Sequence, residues 1–82
     1  MAKDKNNGEE LWERFAALLG EPRLSNKIAA VLGDSPKHVY VRRRSGWPLY
    51  AHVIVEFMES TPRHKWPEQL RLEIEKAATP GT

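Results

Sequence analysis

Glycine and proline interrupt this chain at short intervals, and the stretches between them carry apolar residues at helical spacing. Gly20, Gly33 and Gly46 each follow such a stretch, and Pro67 precedes the last one. A glycine after a helix supplies the left-handed conformation that ends it, whereas a proline fits the first helical turn. Helices this short gain most of their stability by packing against one another. The pattern therefore predicts an all-α fold, a compact bundle of about five short helices.

Each predicted helix has its own start and stop signals. Residues 9–19 have apolar side chains on one face, and glutamates in the first turns favour the helix dipole. Ser35 and Pro36 are the typical N-cap and first residue of a helix over 36–44. The other predicted elements are a second helix capped by Ser25 or Asn26 and stopped by Gly33, a fourth helix starting at Pro48, a loop over 60–66, and a last helix starting at Pro67.

The fourth predicted helix carries more apolar side chains than a small core needs. They form pairs spaced by four residues, as expected for one helical face: Leu49, Tyr50, Val53, Ile54, Phe57 and Met58. The simpler interpretation is that this stripe belongs to the core. The alternative is that part of the stripe forms a dimer contact with two later residues, which gives the set Val53, Ile54, Phe57, Met58, Trp66 and Leu70.

A β-hairpin at about residues 38–58 is the competing interpretation, and it would make the fold α+β. The two segments that would pair are rich in β-branched residues. The connection between them lacks a two-residue Asn-Gly or Gly-Gly turn, and Pro48 begins a four-residue apolar period, so helices are favoured. In either case we expect one domain over 9–78, with flexible tails over 1–8 and 79–82.

Composition limits the class of protein. A chain of 82 residues holds one small domain and excludes a barrel enzyme or a full dinucleotide-binding fold. It contains no cysteine, which excludes a disulfide scaffold, a cysteine nucleophile and a thiolate metal site. It has no run of about 18 apolar residues, so no membrane span is predicted. These features agree with a cytoplasmic location.

Positive charge is concentrated in one part of the chain. The net charge is only +2, yet residues 23–44 hold six of the thirteen lysines and arginines and a single acidic residue, Asp34. A basic segment in a nearly neutral protein is the pattern expected of a surface that meets a phosphate backbone. The alternative is a solvated basic face without a partner.

The same segment carries a spaced set of small and apolar residues. Ala29 precedes Gly33 by four residues, Val39 follows it by six, and Leu32 comes just before it. A small Ala29 lets two helices cross closely, and Gly33 takes the left-handed turn that a side chain resists. Residues 25–44 thereby resemble the helix-turn-helix of phage repressor and Cro-type regulators. The flanks look loosely like small phage and mobile-element regulators, including anti-CRISPR-associated repressors.

The resemblance implies a DNA-binding protein whose second motif helix enters a major groove. The groove-facing residues that it implies are Ser35, Pro36, Lys37, Tyr40, Val41 and Arg44. Among them, Lys37 and Arg44 are the best candidates for base edges, because both side chains can donate to guanine O6 and N7. The implied phosphate contacts are Ser25, Asn26, Lys27, Arg42 and Arg43.

Two departures from the family pattern and a nearby tryptophan qualify this interpretation. Asp34 and Arg42 stand where the family usually places apolar residues, and Val41 would take over the packing role at the second position. Trp47, just after the implied recognition helix, either braces that helix or lies against the sugar-phosphate backbone. Bracing is the favoured interpretation.

No arrangement of residues points to catalysis or to a cofactor. His38, His52 and His64 form no H-x-x-x-H pair, the glycines are isolated, and the serines have no triad context. We therefore expect no enzyme activity, no cofactor, no metal and no small-molecule ligand.

Together these features predict a sequence-specific DNA-binding transcriptional regulator, a repressor that acts as a homodimer on an inverted-repeat operator. It would be cytoplasmic and associated with the nucleoid through DNA. The alternative is a small helical protein-interaction module that docks an acidic protein, such as a polymerase subunit or a nuclease. RNA binding is disfavoured, because the aromatic residues do not interleave with the basic ones as on a stacking platform.

Overall fold

Five helices make up the all-α fold of residues 2–79. The computed structural model describes the backbone of residues 2–79 and the side chains of residues 8–79. The helices are α1 (Ala2–Leu19), α2 (Leu24–Leu32), α3 (Pro36–Ser45), α4 (Leu49–Ser60) and α5 (Glu68–Ala78), with one 3₁₀ turn (Arg63–Lys65) before α5.

The all-α prediction is confirmed, and the alternative hairpin at about 38–58 is wrong. No strand occurs between residues 2 and 79, and residues 38–58 lie in α3, α4 and the short connection between them. The β-branched residues that suggested strands are accommodated on helix faces, since Val39 and Val55 are both buried. Burial in the core outweighs their small helix-propensity penalty.

Helices α1 and α2 share the centre of the packing. Helix α1 contacts α2, α3 and α4, and α2 also contacts α3 and α5. Leu11 and Phe15 of α1 are almost completely buried, as are Ile28 of α2, Val39 of α3 and Val55 of α4. The rest of the core consists of Leu19, Leu24, Ala29, Trp47, Ala51, Met58, Trp66 and Ile74.

The start of α1 corrects the sequence-based prediction. The helix begins at Ala2 and not at Glu9, so residues 2–8 belong to α1. Gly8 is buried where α1 crosses α3. A Cβ at this position would lie less than 3.0 Å from the carbonyl oxygens of Arg42 and Arg43. Residue 1 and most of the predicted C-terminal tail, residues 80–82, lie outside the described part of the chain.

The ends of α1 and α2 agree with their sequence signals, whereas the predicted caps of α2 do not. Gly20 and Gly33 both have left-handed backbones, with φ of 75° and 70°, directly after α1 and α2. Helix α2 begins at Leu24, so Ser25 and Asn26 lie inside its first turn, and the prediction that either caps the helix is wrong. Leu24 is buried in the core. Because its burial favours a helical conformation at this residue, α2 begins before the predicted caps.

Helix α4 buries a different face from the one predicted. The structure buries Ala51, Val55 and Met58, whereas most of the apolar stripe expected in the core is exposed. Four side chains of that stripe face away from the core, namely Leu49, Tyr50, Val53 and Phe57. The interpretation of the whole stripe as core is therefore wrong, because α4 turns the side with Ala51, Val55 and Met58 towards the core.

The close contact at Gly8 yields a stability prediction. Gly8→Ala raises helix propensity, which by itself favours folding by about 1 kcal/mol. The added methyl group must displace the backbone of α3, which costs about 1–3 kcal/mol. We expect the clash to dominate and urea unfolding to show a net loss of stability. Ala17→Gly, at an exposed position of the same helix, is the reference for propensity alone. A Gly8→Ala variant more stable than wild type would contradict the close packing.

Candidate nucleic-acid interface

Helices α2 and α3 are joined by a three-residue turn, Gly33 to Ser35. The Gly33 and Asp34 amides both donate to the carbonyl oxygen of Ala29, the latter at 2.9 Å. Ala29 is buried between the helices, and Leu32 is partly buried. The small residue at 29 and the left-handed glycine at 33 occupy the positions for which the sequence predicted them.

The start of α3 is determined by short-range hydrogen bonds. Ser35 is the N-cap, as predicted, and its hydroxyl accepts from the His38 amide at 3.4 Å. Oδ1 of Asp34 accepts from the Ser35 amide at 2.9 Å and lies 2.6 Å from Nδ1 of His38. The hydrogen bond with His38 and, secondarily, that with Ser35 hold the pKa of Asp34 below its ordinary value. These contacts give the α3 N-terminus a defined direction.

Most of the surface of α3 faces solvent. The helix has one fully buried side chain, Val39. All six residues implied to face a groove are exposed: Ser35, Pro36, Lys37, Tyr40, Val41 and Arg44. The structure therefore brings the whole predicted base-contacting set onto one accessible helix and its N-cap.

Arg43 is engaged within the protein. Its guanidinium donates from Nε and Nη2 to the two carboxylate oxygens of Glu9, both at 2.9 Å. It also lies over the ring of Trp12 at 4.3 Å, and Tyr40 contacts the same ring system at 5.9 Å between centroids. The bidentate contact lowers the pKa of Glu9 and raises that of Arg43. Arg43 thus ties α3 to α1 and is partly withdrawn from the surface.

The remaining cations of α3 have no such partner. Among the described side chains, no carboxylate forms an ion pair with Lys37, Arg42 or Arg44. Lys37 and Arg44 are exposed, and Arg42 is partly buried. These three side chains are the positive charge that α3 presents to a ligand.

Lys27 does not belong to the surface, and its predicted phosphate contact is wrong. Its side chain is only 7% exposed. Its ammonium group donates to the carbonyl oxygens of Leu19 and Gly20 at 3.1 and 3.0 Å. The end of a helix leaves such carbonyls without partners, and a lysine there also complements the helix dipole. Ser25 and Asn26, the neighbouring predicted phosphate contacts, are partly buried and remain accessible in part.

Trp47 braces the interface from behind. Its Nε1 donates to the Gly8 carbonyl oxygen at 2.8 Å, and its ring packs against Phe15 at 5.7 Å between centroids. The side chain is buried, so it cannot lie against a sugar-phosphate backbone in this conformation. The favoured bracing interpretation is confirmed.

The structure buries some of the predicted dimer residues and exposes others. Met58 and Trp66 are buried in the core of the single chain, and Ile54 and Leu70 pack partly against it. Placing Met58 and Trp66 at an interface was therefore wrong, because their surface is already covered. Val53 and Phe57 are exposed, and the spacing of apolar residues by itself did not distinguish the two groups.

Sequence reasoning missed two features of this surface. His38 is exposed in the first turn of α3 beside Lys37, and its i, i+4 spacing from Asp34 was the available signal. Glu9 and Trp12 position Arg43 from α1, but they are about thirty residues or more away in sequence. No local pattern identifies such a contact.

Comparison of the chain with models of protein families, with curated proteins and with solved structures gives no match. Within residues 2–79, no helix combines the length and apolar character needed to cross a bilayer. Within the described residues, no three histidine, aspartate or glutamate side chains are grouped so as to hold a metal ion.

The buried position of Lys27 predicts a structural role for it. Lys27→Ala leaves the carbonyl oxygens of Leu19 and Gly20 without their shared donor, which we expect to cost about 1.5–3 kcal/mol in urea unfolding. Lys37→Ala removes the same charge from an exposed site and should change stability by less than about 0.5 kcal/mol. Equal stability of the two variants would argue against the capping contact.

The Glu9–Arg43 pair predicts a pH-dependent contribution to stability. A carboxyl whose pKa is lower in the folded protein stabilises it at pH above the unfolded pKa and loses that contribution as the pH falls through the folded pKa. The difference in the free energy of unfolding between wild type and Glu9→Gln should therefore become smaller as the pH falls from about 5 to about 2. Glu10→Gln, which removes the adjacent exposed carboxylate, is the control. A difference in unfolding free energy between wild type and Glu9→Gln that stays constant with pH would contradict the ion pair.

Proposed function

We propose that this protein binds double-stranded DNA and that α3 is its recognition helix. The observation that carries the proposal is that one side of α3 is packed on the rest of the protein while the opposite side is exposed and basic. Val39 and Arg43 attach the helix to the rest of the protein, while Lys37 and Arg44 project into solvent. A helix held in this way can enter a major groove without first becoming ordered.

The exposed residues of α3 have the chemistry that base and phosphate contacts require. Lys37 and Arg44 would donate to guanine O6 and N7, and Val41 would contact a thymine methyl group. Arg42, together with Ser25 and Asn26 at the start of α2, would contact phosphates, as helix N-termini commonly do. Arg43 is a positioning residue, because its guanidinium is already bound to Glu9.

The proposed regulatory role follows from the size of such a surface. One short helix reaches few base edges, so regulators of this kind commonly pair on two half-sites about 34 Å apart. We propose a repressor that covers an inverted-repeat operator as a homodimer and excludes polymerase from it. Its occupancy would be set by its own concentration.

A second function is favoured by a different observation. The exposed apolar side chains of α4, Leu49 and Val53 among them, suit a protein-interaction module that docks an acidic protein, with the cations of α3 at the rim. In that case changes on α4 would abolish partner binding. Changes on α3 would weaken it only modestly, since exposed rim charges contribute little.

The DNA proposal is tested by binding to random duplex DNA at several salt concentrations, measured by fluorescence anisotropy. We expect log K to fall linearly with log salt. The double variant Lys37→Ala/Arg44→Ala should bind more weakly at each salt concentration. Its slope should be shallower by about 0.9 for each phosphate that the variant no longer neutralises.

The matched control is Lys65→Ala/Lys76→Ala, which removes two exposed charges from the α5 end of the molecule. If binding depends on α3, the control keeps the wild-type slope. Equal losses of affinity in the two double variants would mean that net charge, and not this helix, governs binding. No binding by wild type at low salt would overturn the proposal.

A further inference from the structure

We infer that the exposed side of α4 is an interface between two copies of this chain, packed antiparallel about a two-fold axis near Val53. The α4 face is defined here as Leu49, Tyr50, Val53 and Phe57. The choice of a second copy as occupant rests on the proposed DNA-binding function, which needs two recognition helices.

The α4 face is unusually exposed for its composition. Leu49 is 78% exposed, Val53 57%, Tyr50 48% and Phe57 41%. Together these side chains offer roughly 400 Å² of largely apolar surface, which is comparable to the largest patch on a typical monomer and is often functional. Helix α4 packs principally against α1, and among the described residues no other helix makes a comparably extensive contact with it.

The charge pattern of α4 disfavours some occupants of this face. No lysine or arginine occurs between Arg44 and Arg63, so α4 itself supplies no cation to hold a phosphate backbone or an acidic protein. Of the two carboxylates on α4, Glu59 is already hydrogen-bonded to Arg14 at 2.9 and 2.6 Å. The α4 face therefore complements another apolar surface, and the α4 face of a second copy is such a surface.

The order of side-chain sizes makes the face complementary to itself. Leu49, Val53 and Phe57 stand at i, i+4 and i+8, so they form one ridge with its smallest member in the middle. Two such ridges pack most closely where the side chains are small. In an antiparallel pair Val53 meets its own counterpart, and Leu49 meets Phe57 of the second copy, as a two-fold contact requires.

The polar residues beside the ridge agree with the same register. In the antiparallel arrangement Tyr50 of one copy lies opposite Glu56 of the other. Both are exposed, and the Tyr50 hydroxyl can donate to that carboxylate at the rim. The pairing therefore buries no charged group, which favours association.

The area predicts a weak dimer. About 400 Å² per copy is below the roughly 800 Å² per partner of a stable interface. We therefore expect dissociation at micromolar or higher concentration in free solution. Adjacent half-sites would raise the effective concentration of one copy near the other and so strengthen the pairing on DNA.

Two measurements test the inference on the full chain. The first is the sedimentation mass of wild type, Val53→Glu and Leu72→Glu over a range of about 10–500 µM, which spans the weak affinity expected for so small an interface. Leu72 is a comparably exposed apolar residue on α5. The second is air oxidation of Val53→Cys and Leu72→Cys, which is clean because the chain has no cysteine of its own. A residue at a two-fold axis meets its own counterpart at disulfide distance.

With increasing concentration, we expect the sedimentation mass of wild type and of Leu72→Glu to rise towards that of two chains, and the mass of Val53→Glu to stay at that of one chain. After air oxidation, we expect Val53→Cys to form a disulfide-linked dimer and Leu72→Cys to remain unlinked. Thermal unfolding of each variant checks that it is folded. A wild type that remains a single chain throughout, with no linkage at 53, overturns the inference and leaves the face to a different protein. Self-association that persists in Val53→Glu also overturns it.

The same samples separate this inference from the proposed function. Val53→Glu should bind random duplex DNA with the per-chain salt slope of wild type but lose cooperative binding. A wild type that pairs through Val53 yet binds no DNA would overturn the DNA proposal alone. A wild type that binds DNA through α3 but never pairs would overturn the interface alone.

Discussion

The close crossing of α1 and α3 holds the proposed recognition helix in its orientation. At Gly8 the two backbones approach so closely that no side chain fits between them. Trp47 reinforces the crossing by donating to the Gly8 carbonyl oxygen. At the next residue, Glu9 holds Arg43 with two hydrogen bonds. Because the exposed helix α3 buries only Val39 completely, its direction is set largely by these contacts.

The basic segment consequently divides into side chains with different tasks. Lys27 caps the end of α1 from a buried position. Arg43 stabilises the orientation of α3, and its charge is partly neutralised by Glu9. Of the cations that the sequence assigned to DNA, Lys37, Arg42 and Arg44 remain to attract a ligand. A count of positive charges in the sequence therefore overstates the charge that this surface presents.

Helix α4 illustrates a limit of apolar periodicity. Its sequence is apolar on more than one side, so the four-residue spacing established a helix but did not indicate which side faces the core. Packing against α1 buries the side with Ala51, Val55 and Met58. Leu49, Tyr50 and Phe57, which would also bury much apolar surface if they were covered, remain exposed. As a result, some residues that were predicted to lie in the core are exposed and form a candidate interface.

Local backbone preferences and residue spacing were enough to predict the helical class, the left-handed stops at Gly20 and Gly33, and the Ser35 cap. Each of these features depends on residues that are neighbours in the chain. The early start of α1, the burial of Lys27, the engagement of Arg43 by Glu9 and the exposed side of α4 were settled by folding as a whole. Each of those outcomes requires two segments to meet that are distant in the chain or that compete for the same core. Such meetings depend on the shape and volume of the complete set of packed helices, which no local pattern encodes.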